Sequence, residues 1–184
     1  MDLWVPDIPK GKRKAEAIII PTAVKTLQLL VRKALPFESL TEWKRKKTPL
    51  RAGVGQRGNK LVIDAVLETY GISNDDIKNW GGAVDDKTSG GKNHDLIRDG
   101  KLDTRFAYGG VPEPDTEELG RTVPVKILPV GETEKIRQVI HDATDMVSRV
   151  IPAKTYFFQD KDIISMGFPE YLLVRSDLSD QTAY

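Results

Sequence analysis

The sequence predicts an α/β fold, in which strands and helices alternate along the chain. Three observations predict it: short apolar runs bounded by turn residues, helical apolar spacing between those runs, and glycine-rich turns at the junctions. The strand candidates are residues 17–20, 27–31, 50–54, 83–84, 104–108, 123–128, 163–166 and 171–174. Helices are expected from residue 39 for a short stretch and at about 59–70, 92–98 and 132–149, covering both faces of a sheet.

Each predicted boundary rests on a local signal. Pro21 ends the first strand, and Ser39 followed by Glu42 has the capping-box pattern of a helix start. The apolar residues at helical spacing after residue 59 stop at Gly71. Pro124 has no N–H to donate, so the strand at 123–128 is expected at a sheet edge.

The longest predicted helix, 132–149, has an apolar and a polar face. The apolar face comprises Ile136, Val139, Ile140, Ala143, Val147 and Val150. On the polar face His141, Asp142 and Asp145 allow two interpretations, a metal or acid/base cluster and a solvated surface. The regular apolar stripe opposite them favours the solvated surface.

Composition excludes several classes of function. The chain has 184 residues, 28 Lys and Arg against 27 Asp and Glu, a net charge of +1, two His and no Cys. A thiol nucleophile, a disulfide framework and cysteine-ligated zinc are therefore excluded, and a His-based catalytic or metal site has few groups to draw on. We expect no enzyme activity and no cofactor.

Charge and hydropathy also constrain the partners. The basic clusters at residues 10–14 and 44–47 are interpreted as solvated surface, because the overall charge is balanced, and no nucleic-acid partner is expected. No stretch is long and apolar enough to span a bilayer, and the N-terminal residues lack the pattern of a signal peptide.

The most informative segment is GVGQRGNK at residues 53–60, a glycine-rich turn from a strand into a helix. Such a turn leaves N–H groups unpaired at the helix start, where the helix dipole is positive. It is therefore a candidate site for a carboxylate or a phosphate.

The same segment satisfies the dinucleotide-binding spacing G-x-G-x-x-G, with Asp85 and Asp86 further along the chain as candidate ribose ligands. The preceding strand begins at Pro49 and contains Arg51, whereas a central parallel strand is normally a continuous apolar run. A second alternative to an anion site is that residues 53–60 form a turn that binds no ligand.

Three loops are expected at one edge of the sheet, at residues 55–60, 87–91 and 108–114, because ligands of open α/β sheets bind at the carboxyl ends of strands. They contain no obvious base or nucleophile, which favours binding over catalysis. The candidate ligand-binding residues are Gly55, Gln56, Arg57, Gly58, Asn59, Lys60, Ser89, Tyr108, Gly109 and Gly110. We expect a ligand carboxylate on the N–H groups of residues 58–60, with Arg57 or Lys60 adding charge and Gly109 and Gly110 on the opposite wall.

The chain resembles the TAXI family of solute receptors, the substrate-binding subunits of tripartite ATP-independent (TRAP) transporters. The resemblance rests on four stretches in the family's order: AGVGQRGNK, DGKLDTRFAYGGVPEP, VIPAKTYFFQDKDI and EYLLVRSDLSDQTAY. It implies a type 2 periplasmic-binding-protein fold, a small carboxylate or amino-acid ligand such as glutamate or a 2-oxo acid, a TRAP membrane permease as partner, and a periplasmic or other extracytoplasmic location.

The resemblance also implies a division of the chain. Residues 1–16 form a basic segment, 17–48 hinge strands with a connecting helix, 49–150 the second α/β lobe, and 151–184 a return crossover toward a first lobe that this sequence lacks. A chain truncated in this way is expected to bind its solute weakly or not at all, and to self-associate through apolar residues around 18–20 and 171–174.

One departure from the family pattern concerns the ligand. The family loop usually reads Gly-x-Pro-Gly-Ser-Gly-Thr. Gly55 and Gly58 match it, whereas Arg57, Asn59, Lys60 and Leu61 stand for Pro, Ser, Gly and Thr. Two hydroxyl donors are lost and two cations are gained, so ligand identity does not transfer. The alternatives to a transport receptor are a nucleotide-binding oxidoreductase using G-x-G-x-x-G and a ligand-sensing domain on the same fold.

Overall fold

The structure, a computed structural model, describes the backbone of residues 15–56, 58–88 and 90–175, and the side chains of 25–56, 58–88 and 91–169. The elements in order are β1 Ala15–Arg32, α1 Leu40–Lys46, β2 Arg51–Gly53, α2 Gly58–Thr69, α3 Asn74–Asn79, β3 Ala83–Asp85, α4 Gly90–Arg98, β4 Thr104–Gly109, α5 Pro114–Thr122, β5 Val125–Leu128, α6 Glu134–Thr144, β6 Val147–Ile151 and β7 Ile163–Arg175.

The chain divides into two compact units. The larger one is Val24–Phe168 and contains the helices and most of the strands. The other comprises Met1–Ala23 and Pro169–Tyr184. Its described backbone is extended, as parts of β1 and β7.

The strands form one mixed sheet in the order β3-β2-β4-β1-β7-β6, with β5 paired to β1. Strand β2 is parallel to both β3 and β4, whereas β1 is antiparallel to β4 and β5. Because β3, β2 and β4 are parallel, their carboxyl ends lie at one edge of the sheet, called here the carboxyl edge. The predicted α/β class is confirmed, and so is the prediction that the strands around 50–54 and 104–108 end on the same side.

The hydrophobic core lies in two layers, one on each face of the sheet. Alternation along β1 shows this directly: Leu27, Leu29 and Val31 belong to one cluster and Leu30 to the other. The first cluster receives apolar residues from α1, α2, α3 and α6, and the second receives them from α4 and α5. The predicted coverage of both faces by helices is therefore confirmed.

Two pairs of predicted strands are single strands. β1 continues through Pro21 and joins the segments 17–20 and 27–31, and β7 joins 163–166 to 171–174. The prediction ended the first strand at Pro21 because proline donates no ladder hydrogen bond, but the extended backbone tolerates its fixed φ. The apolar side chains expected to mediate self-association, around 18–20 and 171–174, lie outside the described side chains.

The long helix predicted at 132–149 is confirmed as far as Thr144 and wrong for its last five residues. Helix α6 ends at Thr144, where Asp145 adopts a left-handed conformation with φ 59 and donates its N–H to the carbonyl of His141. Residues 147–151 instead form β6, paired antiparallel with β7. Val139 is 43 % exposed and Val150 is 55 % exposed, so the predicted apolar stripe is not a continuous buried face.

Other boundaries agree with the local signals. Ser39 caps α1 by accepting a hydrogen bond from the Glu42 N–H, and α2 covers the helix predicted after the glycine turn. In the described part of the chain β5 pairs with β1 alone, as expected of an edge strand. Helices α3 and α5 were not predicted, although each has a start signal: Ser73 with Asp76 forms a capping box, and Pro114 occupies the first turn of α5.

Candidate functional site

Three loops meet the carboxyl edge, and each one leads from a parallel strand into a helix. They connect β2 to α2 (residues 54–57), β3 to α4 (86–89) and β4 to α5 (110–113), and are called here loops 1, 2 and 3. The register of β2 with β3 and β4 aligns Gly53 with Asp85 and Arg105. The sequence predicted this convergence, and the strand pairing confirms it.

Each loop is bordered by a glycine whose α-carbon faces open space. Apart from its chain neighbours and its own helix, a Cβ added at Gly58, Gly91 or Gly110 would have no heavy atom of the described residues within 4 Å. The three glycines belong to the starts of α2 and α4 and to loop 3. Bare backbone that faces open space at helix starts can approach a ligand closely, as anion-binding turns require.

Loop 1 turns through Gly55, which has φ +74 and is buried. The Gln56 carbonyl accepts a hydrogen bond from the Asn59 N–H at 3.2 Å, so one N–H in the predicted carboxylate cradle is already engaged. The Gln56 side-chain amide donates to the Lys87 carbonyl and joins loop 1 to loop 2. The Lys60 ammonium pairs with the Asp64 carboxylate one turn along α2.

Loop 2 is shaped by Asp85. Its carboxylate accepts hydrogen bonds from the N–H groups of Lys87 at 2.9 Å and Thr88 at 3.2 Å. Burial opposes ionisation of this group, but the hydrogen bonds from Thr88 and Lys87 outweigh it, and the pKa of Asp85 is lowered. Asp85, one of the two carboxylates that a dinucleotide site could use to bind a ribose, is therefore engaged by hydrogen bonds within its own loop.

Loop 3 follows Tyr108 and Gly109. The Tyr108 ring packs against Phe168 with centroids 6.0 Å apart, and burial raises the pKa of its hydroxyl, which stays protonated. Within the described residues that hydroxyl oxygen is buried and has no hydrogen-bond partner. The Gly110 carbonyl accepts from the Gln28 side chain at 3.4 Å.

Beneath loop 3 lies a buried polar cluster that the sequence did not predict. The Arg105 side chain, 4 % exposed, donates to the Glu113 carboxylate at 3.0 Å, and the other oxygen of Glu113 accepts from the Thr116 hydroxyl at 2.6 Å. Arg105 Nη1 also lies 3.4 Å from His94 Nδ1. Because a guanidinium can only donate, His94 Nδ1 accepts, and the proton of the neutral ring is on Nε2.

Two properties of this cluster bear on its chemistry. Burial, and next the charge of Arg105, lower the pKa of His94 to about 4, so the ring is neutral at physiological pH. Among the described residues, both amide atoms of Asn93, His94 Nε2 and Arg105 Nε are buried without a hydrogen-bond partner. The cluster therefore has an ion pair at its centre and polar groups with unused hydrogen-bonding capacity around it.

Eight of the ten predicted site residues lie at the carboxyl edge. In or beside loops 1 and 3 lie Gly55, Gln56, Gly58, Asn59, Lys60, Tyr108, Gly109 and Gly110. The other two, Arg57 and Ser89, are outside the described residues. The residues that were not predicted had weak signals. Arg105 is the one charged residue of strand β4, and Glu113 precedes a proline that begins a helix.

Neither a metal centre nor a membrane-spanning helix is found in the described parts of the chain. No group of three His, Asp or Glu side chains there is arranged to hold a metal ion. No helix within those same ranges has the length and apolar character needed to cross a bilayer. His141 Nδ1 lies 2.8 Å from the Met146 carbonyl, beyond the end of α6.

Solved structures resemble this fold at low sequence identity. A TctC solute binding protein from Polaromonas, without ligand, matches with a TM-score of 0.50 and 13 % identity over 91 % of this chain and 50 % of its own. An ancestral arginine-binding protein bound to arginine matches with a TM-score of 0.49 and 15 % identity, over 96 % of this chain and 57 % of its own. A binding protein component of an ABC phosphonate transporter from Pseudomonas aeruginosa matches with a TM-score of 0.46 and 15 % identity, over 92 % of this chain and 46 % of its own.

At this low identity the Polaromonas match shows the fold alone, which is that of a periplasmic solute-binding protein. The chain spans about half the length of the solved structures that it matches. The family is shown by sequence, since a profile of the NMT1-like family matches residues 10–184. This chain therefore belongs to the NMT1-like family.

Proposed function

We propose that this chain is the solute-binding subunit, or part of it, of a tripartite ATP-independent transporter of the TAXI type. Its solute is a small carboxylate such as glutamate or a 2-oxo acid, which it captures outside the cytoplasm and hands to a membrane permease. The observation that carries the proposal is the convergence of three glycine-bearing loops at one sheet edge, with open space at Gly58, Gly91 and Gly110. The four sequence stretches that resemble the TAXI family support the subtype.

Backbone N–H groups, with little help from the Lys60 ammonium, are the proposed carboxylate ligands. The Lys60 ammonium already has the Asp64 carboxylate as its partner, so a ligand would have to compete for it. The start of α2 and the start of α4 each direct N–H groups and a positive dipole end toward the carboxyl edge. A carboxylate placed there gains hydrogen bonds without an added lysine contact.

The alternatives are separable from this proposal. An oxidoreductase using the G-x-G-x-x-G run needs an acidic group free to bind a ribose. Of its two candidates, Asp85 is engaged by two N–H groups of loop 2, which leaves Asp86 alone for that role. A ligand-sensing domain would share the same site and differ in its partner. Reading the neighbouring genes distinguishes it, because an adjacent fused TRAP permease gene favours transport.

The test of the site is calorimetry with L-glutamate and 2-oxoglutarate on the wild-type chain and Gly58→Val. Among the described residues, a Cβ at Gly58 meets no heavy atom within 4 Å beyond its chain neighbours and its own helix, so we expect the variant to keep its stability while the valine projects into the proposed site. We expect binding to weaken by at least about tenfold, the equivalent of one lost hydrogen bond of ordinary strength.

The matched control is Thr41→Val on α1. Helix α1 connects the end of β1 to the start of β2, and the end of β1 lies beside the start of β4, so Thr41 is at the opposite edge of the sheet. Thr41 is exposed. Its variant should bind as the wild type does, and equal affinity in wild type and Gly58→Val would remove loop 1 from the site.

A further inference from the structure

Two buried tyrosines make the same pair of hydrogen bonds in different places. The Tyr156 hydroxyl accepts from the Glu113 N–H at 2.8 Å and donates to the Gln28 side-chain oxygen at 2.5 Å. The Tyr70 hydroxyl accepts from the Gly131 N–H at 2.7 Å and donates to the Glu132 carboxylate at 2.5 Å. Each hydroxyl therefore fixes one backbone N–H and one side-chain oxygen inside the protein.

The two tyrosines differ in what they hold. Tyr156 bonds to Glu113, the last residue of loop 3, whereas Gly131 and Glu132 belong to the connection between β5 and α6. Tyr156 is fully buried, and its ring stacks on Phe158 with centroids 5.5 Å apart. Packing therefore holds the Tyr156 side chain in place, and its hydroxyl contacts loop 3 from a fixed position.

The hydrogen bonds of Tyr156 reach both ends of loop 3. Gln28, which is fully buried on β1, accepts from the Tyr156 hydroxyl and donates its amide N–H to the Gly110 carbonyl at 3.4 Å. Glu113, at the other end, is held through its N–H by Tyr156 and through its carboxylate by Arg105 at 3.0 Å. The segment 110–113 is therefore fastened at its first and last residues by one connected network.

The hydrogen bonds at the two ends of loop 3 affect the candidate site, because loop 3 forms one wall of it. An added Cβ at Gly109 would lie 3.5 Å from a Glu113 carboxylate oxygen, so the position of Glu113 sets the space beside Gly109. Gly110 has open space where its side chain would be. A shift of the network would move both glycines relative to loop 1.

We propose that Tyr156 is a positioning residue of the ligand site, which sets the place of Gly109 and Gly110 through its hydrogen bonds to Gln28 and Glu113. The inference rests on the proposed function, since it assigns the wall of that same site. Tyr156 itself does not touch the ligand. It acts through two groups that would otherwise lack a hydrogen-bond partner, the Gln28 side-chain oxygen and the Glu113 N–H. Without these bonds loop 3 would shift.

The test compares Tyr156→Phe with Tyr70→Phe, which loses the same two hydrogen bonds elsewhere. Both variants should lower the unfolding midpoint, because each leaves unpaired a backbone N–H and a side-chain oxygen that are at least partly buried. Hydrogen exchange of residues 109–113 should accelerate by about tenfold in Tyr156→Phe only. Affinity for L-glutamate and 2-oxoglutarate should fall by about tenfold in Tyr156→Phe and stay at the wild-type value in Tyr70→Phe.

The outcomes separate this inference from the proposed function. Equal affinity in the two variants, or equal exchange at residues 109–113, would overturn the positioning role. Wild-type protein that binds neither acid would contradict the proposed ligand, and exchange would then decide by itself whether Tyr156 fixes loop 3. If Tyr156→Phe does not fold, Gln28→Met removes the bond to the Gly110 carbonyl and carries the same expectations.

Discussion

At the residue scale, His94 shows how burial sets the chemistry beneath loop 3. Its side chain is 8 % exposed, and its neighbours are Arg105 and Glu113, with Asp95 and Asp115 on the outer side. Burial and the Arg105 charge lower its pKa to about 4, whereas an unfolded histidine titrates near 6.5. Between these values the unfolded chain binds a proton that the folded chain does not.

The free energy of unfolding should therefore fall as pH is lowered from about 6.5 to about 4, by up to roughly 3 kcal/mol from this residue. Denaturant titrations of wild type and His94→Gln over this range measure it. Carboxylates also begin to titrate near the lower limit, so the wild-type minus variant difference is the decisive quantity. Identical pH dependence in both proteins would show that His94 does not stay neutral when folded.

Local signals reveal some of the site residues and not others. Gly55, Gly58 and Gly110 follow strand-like runs, and a glycine in such a turn predicts exposed backbone without knowledge of the rest of the fold. Tyr156 lies 128 residues from Gln28 and 43 from Glu113. The sequence alone therefore does not predict which groups its hydroxyl bonds to, because only the fold brings the three residues together. Periodicity carries no information about such long-range partners.

At the element scale, the ion pair of Arg105 and Glu113 joins β4 to the start of α5. Both side chains are largely buried, at 4 % and 17 % exposure. Removing one partner of such a pair leaves an uncompensated buried charge, whereas removing both does not.

We expect Arg105→Met to lower the free energy of unfolding by about 3–5 kcal/mol and the double variant Arg105→Met/Glu113→Gln to recover a large part of that loss. Chemical denaturation of the wild type, both single variants and the double variant measures the coupling. Additive losses would mean that the pair does not link β4 to α5 in solution. The exposed pair of Arg98 and Asp95 provides the control, since its removal should change stability by less than about 1 kcal/mol.

Element boundaries show where the sequence was insufficient. Apolar spacing predicted α2 correctly because its core positions are consistently helical, but the same spacing ran through Asp145 into β6. Residues 147–151 become a strand because β7 is available to pair with them, and that tertiary contact outweighs a weak helical pattern. Capping signals at Ser73 and Pro114 could have identified α3 and α5.

At the scale of the whole molecule, the strand order accounts for the site. Parallel pairing of β3, β2 and β4 brings loops 1, 2 and 3 to one edge, although the loops are far apart in sequence. Alternating strands and helices predicted this arrangement through a general rule for parallel sheets. The continuous 18-residue strand β1 and the 13-residue β7 did not follow from local patterns, since each contains a residue, Pro21 or Pro169, that usually ends a strand.

The central claim is that a carboxylate binds to backbone N–H groups at the carboxyl edge, and an amide-resolved NMR titration tests it most directly. ¹⁵N-labelled protein is titrated with L-glutamate and 2-oxoglutarate up to about 10 mM, a range that covers millimolar dissociation constants, with D-glucose as a neutral control. The largest shifts should fall on Gly58, Gly91 and Gly110, with Gly100, between α4 and the start of β4, unaffected. Shifts centred on Gly100 and α1, or no shift in the three loops with either acid, would contradict the account.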